Sequence, residues 1–184
     1  MTVTDRRVAL LRGINVGTAK RIAMADLRQI FEDLGYLDVR TLLNSGNVVF
    51  TVERSGGGAD SARIEKEIAD RLGVTTRVIV LNRKEVAEAV EGNPFTSVAD
   101  DASRLLVVAF RDARAVAQAR PLLKERWTPE ALALGKRVAY LWCAKGLIDS
   151  RAWAAVNRAV GDGGTARNIA TMTKLLALVN GSPA

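Results

Sequence analysis

Apolar residues recur along this chain in two spacings, one helical and one extended. Residues 8–11 (Val-Ala-Leu-Leu) form a short unbroken apolar run, as a buried strand does, and lead into a polar loop with two glycines. Met24, Leu27, Ile30, Phe31 and Leu34 then fall at helical spacing, and Gly35 predicts the C-terminal stop. Residues 39–43 predict a short strand, residues 44–47 (Asn-Ser-Gly-Asn) a hairpin turn of the primed type with Gly46 at positive φ, and residues 48–52 the returning strand. Ser55, Gly56, Gly57 and Gly58 predict a flexible loop. Ile64, Ile68 and Leu72 mark a second amphipathic helix closed by Gly73, and residues 77–81 a further strand. The order is β-α-β-β-α-β, the ferredoxin-like unit.

The second half repeats that order. Asn82 with Glu85 three residues on predicts a capping box for a helix carrying Val86 and Val90, which stops at Gly92-Asn93-Pro94. A polar connector covers residues 95–103. Residues 105–110 (Leu-Leu-Val-Val-Ala-Phe) predict a buried strand, and Asp112 caps a helix that Pro121 ends or kinks. Thr128-Pro129 interrupts again. Residues 131–134 and 138–142 predict a hairpin across Gly135-Lys136, and Asp149 or Ser150 caps a helix with Trp153, Val156 and Val160 on its apolar side. A short strand at 165–167 completes the unit. Asn168 then caps a last helix with Ile169, Met172, Leu175, Leu176 and Val179 apolar. The expected fold is α+β: tandem ferredoxin-like βαββαβ units with antiparallel sheets and a C-terminal helix. The expected division is residues 1–82, a helix and connector at 83–103, and residues 104–184. The halves share a pattern of elements and no visible sequence likeness.

Composition narrows the chemistry. The 184 residues include no histidine and one cysteine, which excludes His-dependent triads, ordinary zinc sites and an internal disulfide framework. Cys143 sits beside Trp142 in an apolar run, as a core thiol does. No metal site is expected, and no cofactor is named by the residues. No apolar run reaches membrane-spanning length and the first residues lack a signal-peptide core, so a cytoplasmic protein with no membrane partner is expected. The net charge is +7, and residues 1–100 balance 14 Lys/Arg against 14 Asp/Glu, so the whole excess lies beyond them. A basic half suits an anionic partner, a phosphate compound or nucleic acid. With three Trp, two Tyr and four Phe to stack on bases, nucleic acid is the less favoured of the two.

Candidate ligand-binding residues cluster in three places. Arg12, Gly13, Asn15, Gly17 and Lys20 follow the first strand, in a strand–loop–helix turn whose backbone N–H groups can converge on an anion. The spacing is neither that of a Walker loop nor G-x-G-x-x-G. Asn44, Ser45 and Asn47 occupy the hairpin turn. In a β-α-β-β-α-β unit the first strand lies antiparallel beside the third, so this turn and the first loop should be neighbours. Thr165, Arg167 and Asn168 precede the last helix, where a cation is unfavourable unless a carboxylate or bound anion offsets it. Each has a plainer reading too: turn chemistry for the asparagines, a surface ion pair for Arg12, solvation for Lys20, capping for Asn168. Ser45 lacks an activating base.

Together these residues point to a cationic cleft that binds a small phosphate-bearing ligand or a nucleic-acid phosphate. An enzyme acting on a phosphorylated metabolite is the rival reading, with Arg12, Lys20 and Arg167 placing the phosphate. It needs an acid/base group, for which Asp26 and Asp38 are candidates by proximity in sequence alone. A third reading is an oligomeric scaffold module; the sequence leaves the oligomeric state open.

Three stretches taken together resemble one family. They are residues 9–17 (Ala-Leu-Leu-Arg-Gly-Ile-Asn-Val-Gly), 39–50 (Val-Arg-Thr-Leu-Leu-Asn-Ser-Gly-Asn-Val-Val-Phe) and 165–176 (Thr-Ala-Arg-Asn-Ile-Ala-Thr-Met-Thr-Lys-Leu-Leu). The chain is similar to DUF1697, bacterial proteins of unknown function. The resemblance implies an α+β fold with ferredoxin-like units, and no established activity, substrate or catalytic residue. Ile169 stands where that family usually carries Trp, so a stacking role there would be lost and a buried apolar role kept.

Overall fold

The computed structural model describes residues 4–17, 20–53, 61–97 and 100–181. Strand β1 (Thr4–Leu11) is paired antiparallel on both edges, with β3 (Asn47–Glu53) and with β4 (Val78–Asn82). Strand β2 (Leu37–Leu42) adds to the far edge of β3, giving the order β2-β3-β1-β4. Helices α1 (Met24–Asp33) and α2 (Ser61–Leu72) bury Leu27, Ile30, Phe31, Ile64 and Ile68 against Ala9, Leu11, Val48, Phe50 and Val78. Phe31, Tyr36 and Phe50 form a ring cluster with centroids 4.7–5.8 Å apart. Val8, Leu10, Val49 and Leu81, which alternate with these along the strands, are buried as well. A strand covered on both faces has no polar side to show, which is why 8–11 reads as a continuous apolar run.

Helix α3 (Arg83–Glu91) opens with the expected capping box. The Glu85 N–H donates to Asn82 Oδ1 and the Asn82 N–H to Glu85 Oε2, both at 2.9 Å. A second antiparallel sheet follows with the same arrangement. Its strands are β5 (Leu105–Phe110), β6 (Ala131–Leu134), β7 (Val138–Trp142) and β8 (Gly164–Asn168), ordered β6-β7-β5-β8. Helices α4 (Ala113–Ala119) and α5 (Arg151–Val160) bury Ala115, Val116, Ala152 and Val156 with Leu106, Val108, Ala139 and Leu141. Asp112 caps α4, and Ser150 rather than Asp149 caps α5 by accepting from the Trp153 N–H at 3.0 Å. Helix α6 (Ile169–Val179) is capped by Asn168, whose Oδ1 accepts from the Thr171 N–H at 2.8 Å. The fold is mixed α+β, with two antiparallel four-strand sheets and helices. By packing it divides into one unit of Met1–Val86 with Leu175–Ala184 and another of Ala87–Lys174.

The structure departs from expectation most clearly at the start of β1 and at the turn after β2. Strand β1 begins at Thr4, ahead of the apolar run, because its polar start still pairs residue for residue with β3 from Thr4↔Glu53 onward. The β2–β3 turn is not a two-residue primed turn. Leu42 pairs with Asn47, which leaves residues 43–46 as a four-residue turn with Leu43 (φ 57°) and Gly46 (φ 77°) left-handed. The loop expected at 55–58, with Thr18, Ala19, Val98 and Ala99, lies outside the described residues.

Gly46 is required on two counts. Its φ suits glycine, and a Cβ there would come within 2.7 Å of Ile14 Cδ1 and 2.8 Å of Leu11 Cβ. Gly46→Ala should therefore cost about 2–4 kcal/mol, strain and overpacking together. Gly35 is also left-handed but has open space around it, so Gly35→Ala should cost about 1 kcal/mol. Urea unfolding of both variants checks this, and equal losses would contradict it.

Candidate functional site

The loop after β1 is fastened at its root. The Leu11 N–H donates to Gly46 O and the Arg12 N–H to Arg77 O, each at 2.8 Å, while Thr76 Oγ1 donates to Arg12 O at 2.8 Å. Beyond Arg12 the backbone alternates. Gly13 (φ 63°), Asn15 (φ 54°) and Gly17 (φ 62°) are left-handed, and Ile14 and Val16 between them are not. Lys20 (φ 52°) is left-handed again. Ile14 is buried and anchors the loop in the core, whereas Val16, Gly17, Lys20 and Arg21 are exposed. Arg21 Nη2 donates to Gly17 O at 3.1 Å.

Asn15 holds this shape. Its Nδ2 donates to Ile22 O at 2.9 Å and to Asn44 O at 2.7 Å, and its Oδ1 accepts from the Ile22 N–H at 2.8 Å. Its own N–H donates to Lys20 O at 3.0 Å. One side chain therefore closes the loop on itself and ties it to the hairpin turn, so the first loop and the turn are neighbours as strand order implies. At the start of β3, buried Asn47 donates from Nδ2 to Leu42 O and to Ser45 Oγ in the turn, both at 2.9 Å. The two asparagine side chains are thus engaged inside the fold.

Thr165, Arg167 and Asn168 belong to the second unit. Arg167 lies on β8, where a strand was expected at 165–167; it stands opposite Val107, buried, and its Nη1 donates to Thr165 Oγ1 at 3.1 Å and to Ala166 O at 2.7 Å. Burial pushes its guanidinium down to about 10, so the charge persists at neutral pH. Burial also pushes the Cys143 thiol up, against a hydrogen bond with Ser150 that acts the other way, which disfavours a thiolate nucleophile. Among the described residues, no group of three or more Cys, Asp or Glu is placed to hold a metal ion.

Sequence reading missed a polar cavity of about 400 Å³ at the opposite end of β1, in the first unit. Arg6, Asp38, Thr51, Arg83 and Asn180 line it. Only the register of the sheet brings these residues together, so no local motif marks them.

The Asn15 clamp can be measured. Asn15→Ala should cost about 2–3 kcal/mol, because three hydrogen bonds go and backbone partners lose theirs. Asn15→Gly should cost about 1 kcal/mol less, since glycine adopts the left-handed φ without strain. Chemical unfolding gives both values, and losses below 0.5 kcal/mol, the usual scale of surface substitutions, would contradict the clamp.

No curated protein matches the sequence. Among solved structures, the conserved bacterial protein SP0830 from Streptococcus pneumoniae superposes with a TM-score of 0.69 at 22% identity, covering 96% of this chain and 99% of that one. A likeness at that identity is one of fold. The profile of DUF1697, described as a protein of unknown function, matches residues 4–140. That span contains the loop after β1 and the β2–β3 turn and ends before the 165–176 stretch. By this match the chain belongs to the DUF1697 family.

Proposed function

We propose that the first unit binds a phosphate group at the loop after β1, through its backbone N–H groups and the side chains of Lys20 and Arg21. The alternation of left-handed residues at 13, 15 and 17 carries this reading. Where right-handed and left-handed helical residues alternate, successive N–H groups turn toward one side and form a concave donor array that suits an anion. The only described hydrogen bond from an N–H at residues 13–17 is that of Asn15. Lys20 and Arg21 supply positive charge at the exposed rim, and the Asn15 clamp sets the loop before a ligand arrives, which lowers the ordering cost of binding. Ser45 and Asn44 flank it from the turn. Thr165, Arg167 and Asn168, with their local hydrogen bonds in the second unit, are not needed for it. We read the two units as tandem ferredoxin-like units, on the ground that both have the element order β-α-β-β-α-β and the same strand order.

Titration of the ¹⁵N-labelled full chain with inorganic phosphate tests the binding. Saturable amide shifts centred on Gly13, Val16 and Gly17 are expected, and Lys20→Ala and Arg21→Ala should each weaken binding several-fold. A short single-stranded oligonucleotide separates the two sources of phosphate, because binding to nucleic acid must fall steeply with salt through counterion release. Shifts that are absent from the loop, or unaffected by both substitutions, would overturn the reading.

A further inference from the structure

We propose that the cavity at the start of β1 is a second binding site, for a small hydroxylated anion such as a sugar phosphate or a sugar acid. Arg6 and Arg83 hold the anionic group, and Asp38 accepts from the hydroxyls.

The register of the first sheet assembles these groups in one row. Leu37 pairs with Thr51 and Thr51 with Arg6, while Arg7 pairs with Asn82, the residue before Arg83. Asp38 sits in a β-bulge between Leu37 and Arg40, at φ 49°. A bulge re-aims a side chain, and a left-handed non-glycine residue carries strain that must be held in place by its surroundings. Here the Asp38 carboxylate accepts a hydrogen bond from buried Thr51 Oγ1 at 3.2 Å. That bond fixes the carboxylate and leaves it further acceptor positions.

The two arginines are held as well. Arg83 Nε donates to Asn180 Oδ1 at 2.7 Å, which leaves both Nη groups to meet a ligand. Arg6 Nη1 lies 2.9 Å from the place where a Cβ on Gly181 would stand, so the missing side chain makes room for the guanidinium. Among the described residues, Arg6, Arg83 and Asp38 form no ion pair, whereas Asp5 at the same cavity is paired with Arg7 at 3.1 Å. Two guanidinium groups repel each other across one cavity, and Arg83 also begins α3, where the helix dipole disfavours a cation. An anion between them relieves both costs, and guanidinium groups match carboxylate or phosphate oxygens in pairs.

A volume of about 400 Å³ lies within the range of small-molecule sites. The polar walls favour a ligand rich in hydroxyls over an apolar one. The eight residues of β1 separate this cavity from the loop after β1 by more than about 20 Å, so neither site depends on the other.

Binding to the full chain can be followed by calorimetry and amide shifts, with glucose 6-phosphate, gluconate and mannitol as probes. Glucose 6-phosphate or gluconate should move the amides of Arg6, Asp38, Thr51 and Arg83, and mannitol should not; which of the two binds tells phosphate from carboxylate. Arg6→Gln and Arg83→Gln should each weaken binding roughly tenfold, the scale of a lost charged hydrogen bond. Asp38→Asn, which tolerates the left-handed backbone, should weaken glucose 6-phosphate or gluconate more than inorganic phosphate. Lys20→Ala should leave this site unchanged, which separates its fate from that of the loop. The amide spectrum of each variant establishes that it is folded. The proposal is overturned if neither anion moves these amides, if mannitol binds equally well, or if both arginine variants bind as the parent does.

Discussion

Each sheet is built around a strand that has neighbours on both edges and cover on both faces. For β1 the consequences run furthest. Its pairing with β3 and β4 fixes the register of the whole first sheet, and a slip of one residue would turn Val8 and Leu10 into the places of Ala9 and Leu11. With the register fixed, the two ends of β1 become fixed points. One carries the glycine loop beside the β2–β3 turn. The other carries the polar row of Asp38, Thr51 and Arg6. Both candidate sites are thus products of the same pairing, although no residue is shared between them.

The loop shows how a few polar contacts convert that register into a surface. Leu11 is bonded to Gly46, and Gly46 packs under Ile14 at a distance that admits no side chain. Asn15 then bridges to Asn44 and Ile22. These contacts are local and short, and they join residues 11–15 to the sheet and to the turn. A backbone held in alternating conformations by the protein's own contacts is what an anion site made of peptide N–H groups requires.

Much of the fold was legible. Helix positions followed from the spacing of Leu27, Ile30 and Phe31 and of Ile64 and Ile68, and the caps at Asn82, Asp112, Ser150 and Asn168 were marked by residue types that satisfy exposed N–H groups. The polar start of β1 was not legible, because pairing with β3 and not hydrophobicity places it in the sheet. The loop and turn were legible as neighbours from strand order. That Asn15 and Asn47 serve the fold agrees with the plainer reading of them as turn residues; which carbonyls they reach was not legible, since an asparagine looks the same in sequence whether its amide meets a ligand or a carbonyl. The strand that carries Arg167 was legible at 165–167, but not the burial of its side chain, whose donors go to Thr165 and Ala166 and not to a carboxylate or an anion ahead of the helix. The cavity at Arg6, Asp38 and Arg83 left no local trace, as its parts come from separate elements joined only by register.

The central claim, that the loop after β1 is a backbone anion site, is tested most directly by a crystal structure of the full chain soaked in tungstate, a phosphate mimic with a strong anomalous signal. The account predicts an anomalous peak within hydrogen-bond reach of the N–H groups of Val16 and Gly17, with the Lys20 ammonium or the Arg21 guanidinium beside it. An ordered loop with no peak there, or with its N–H groups turned apart, would contradict it.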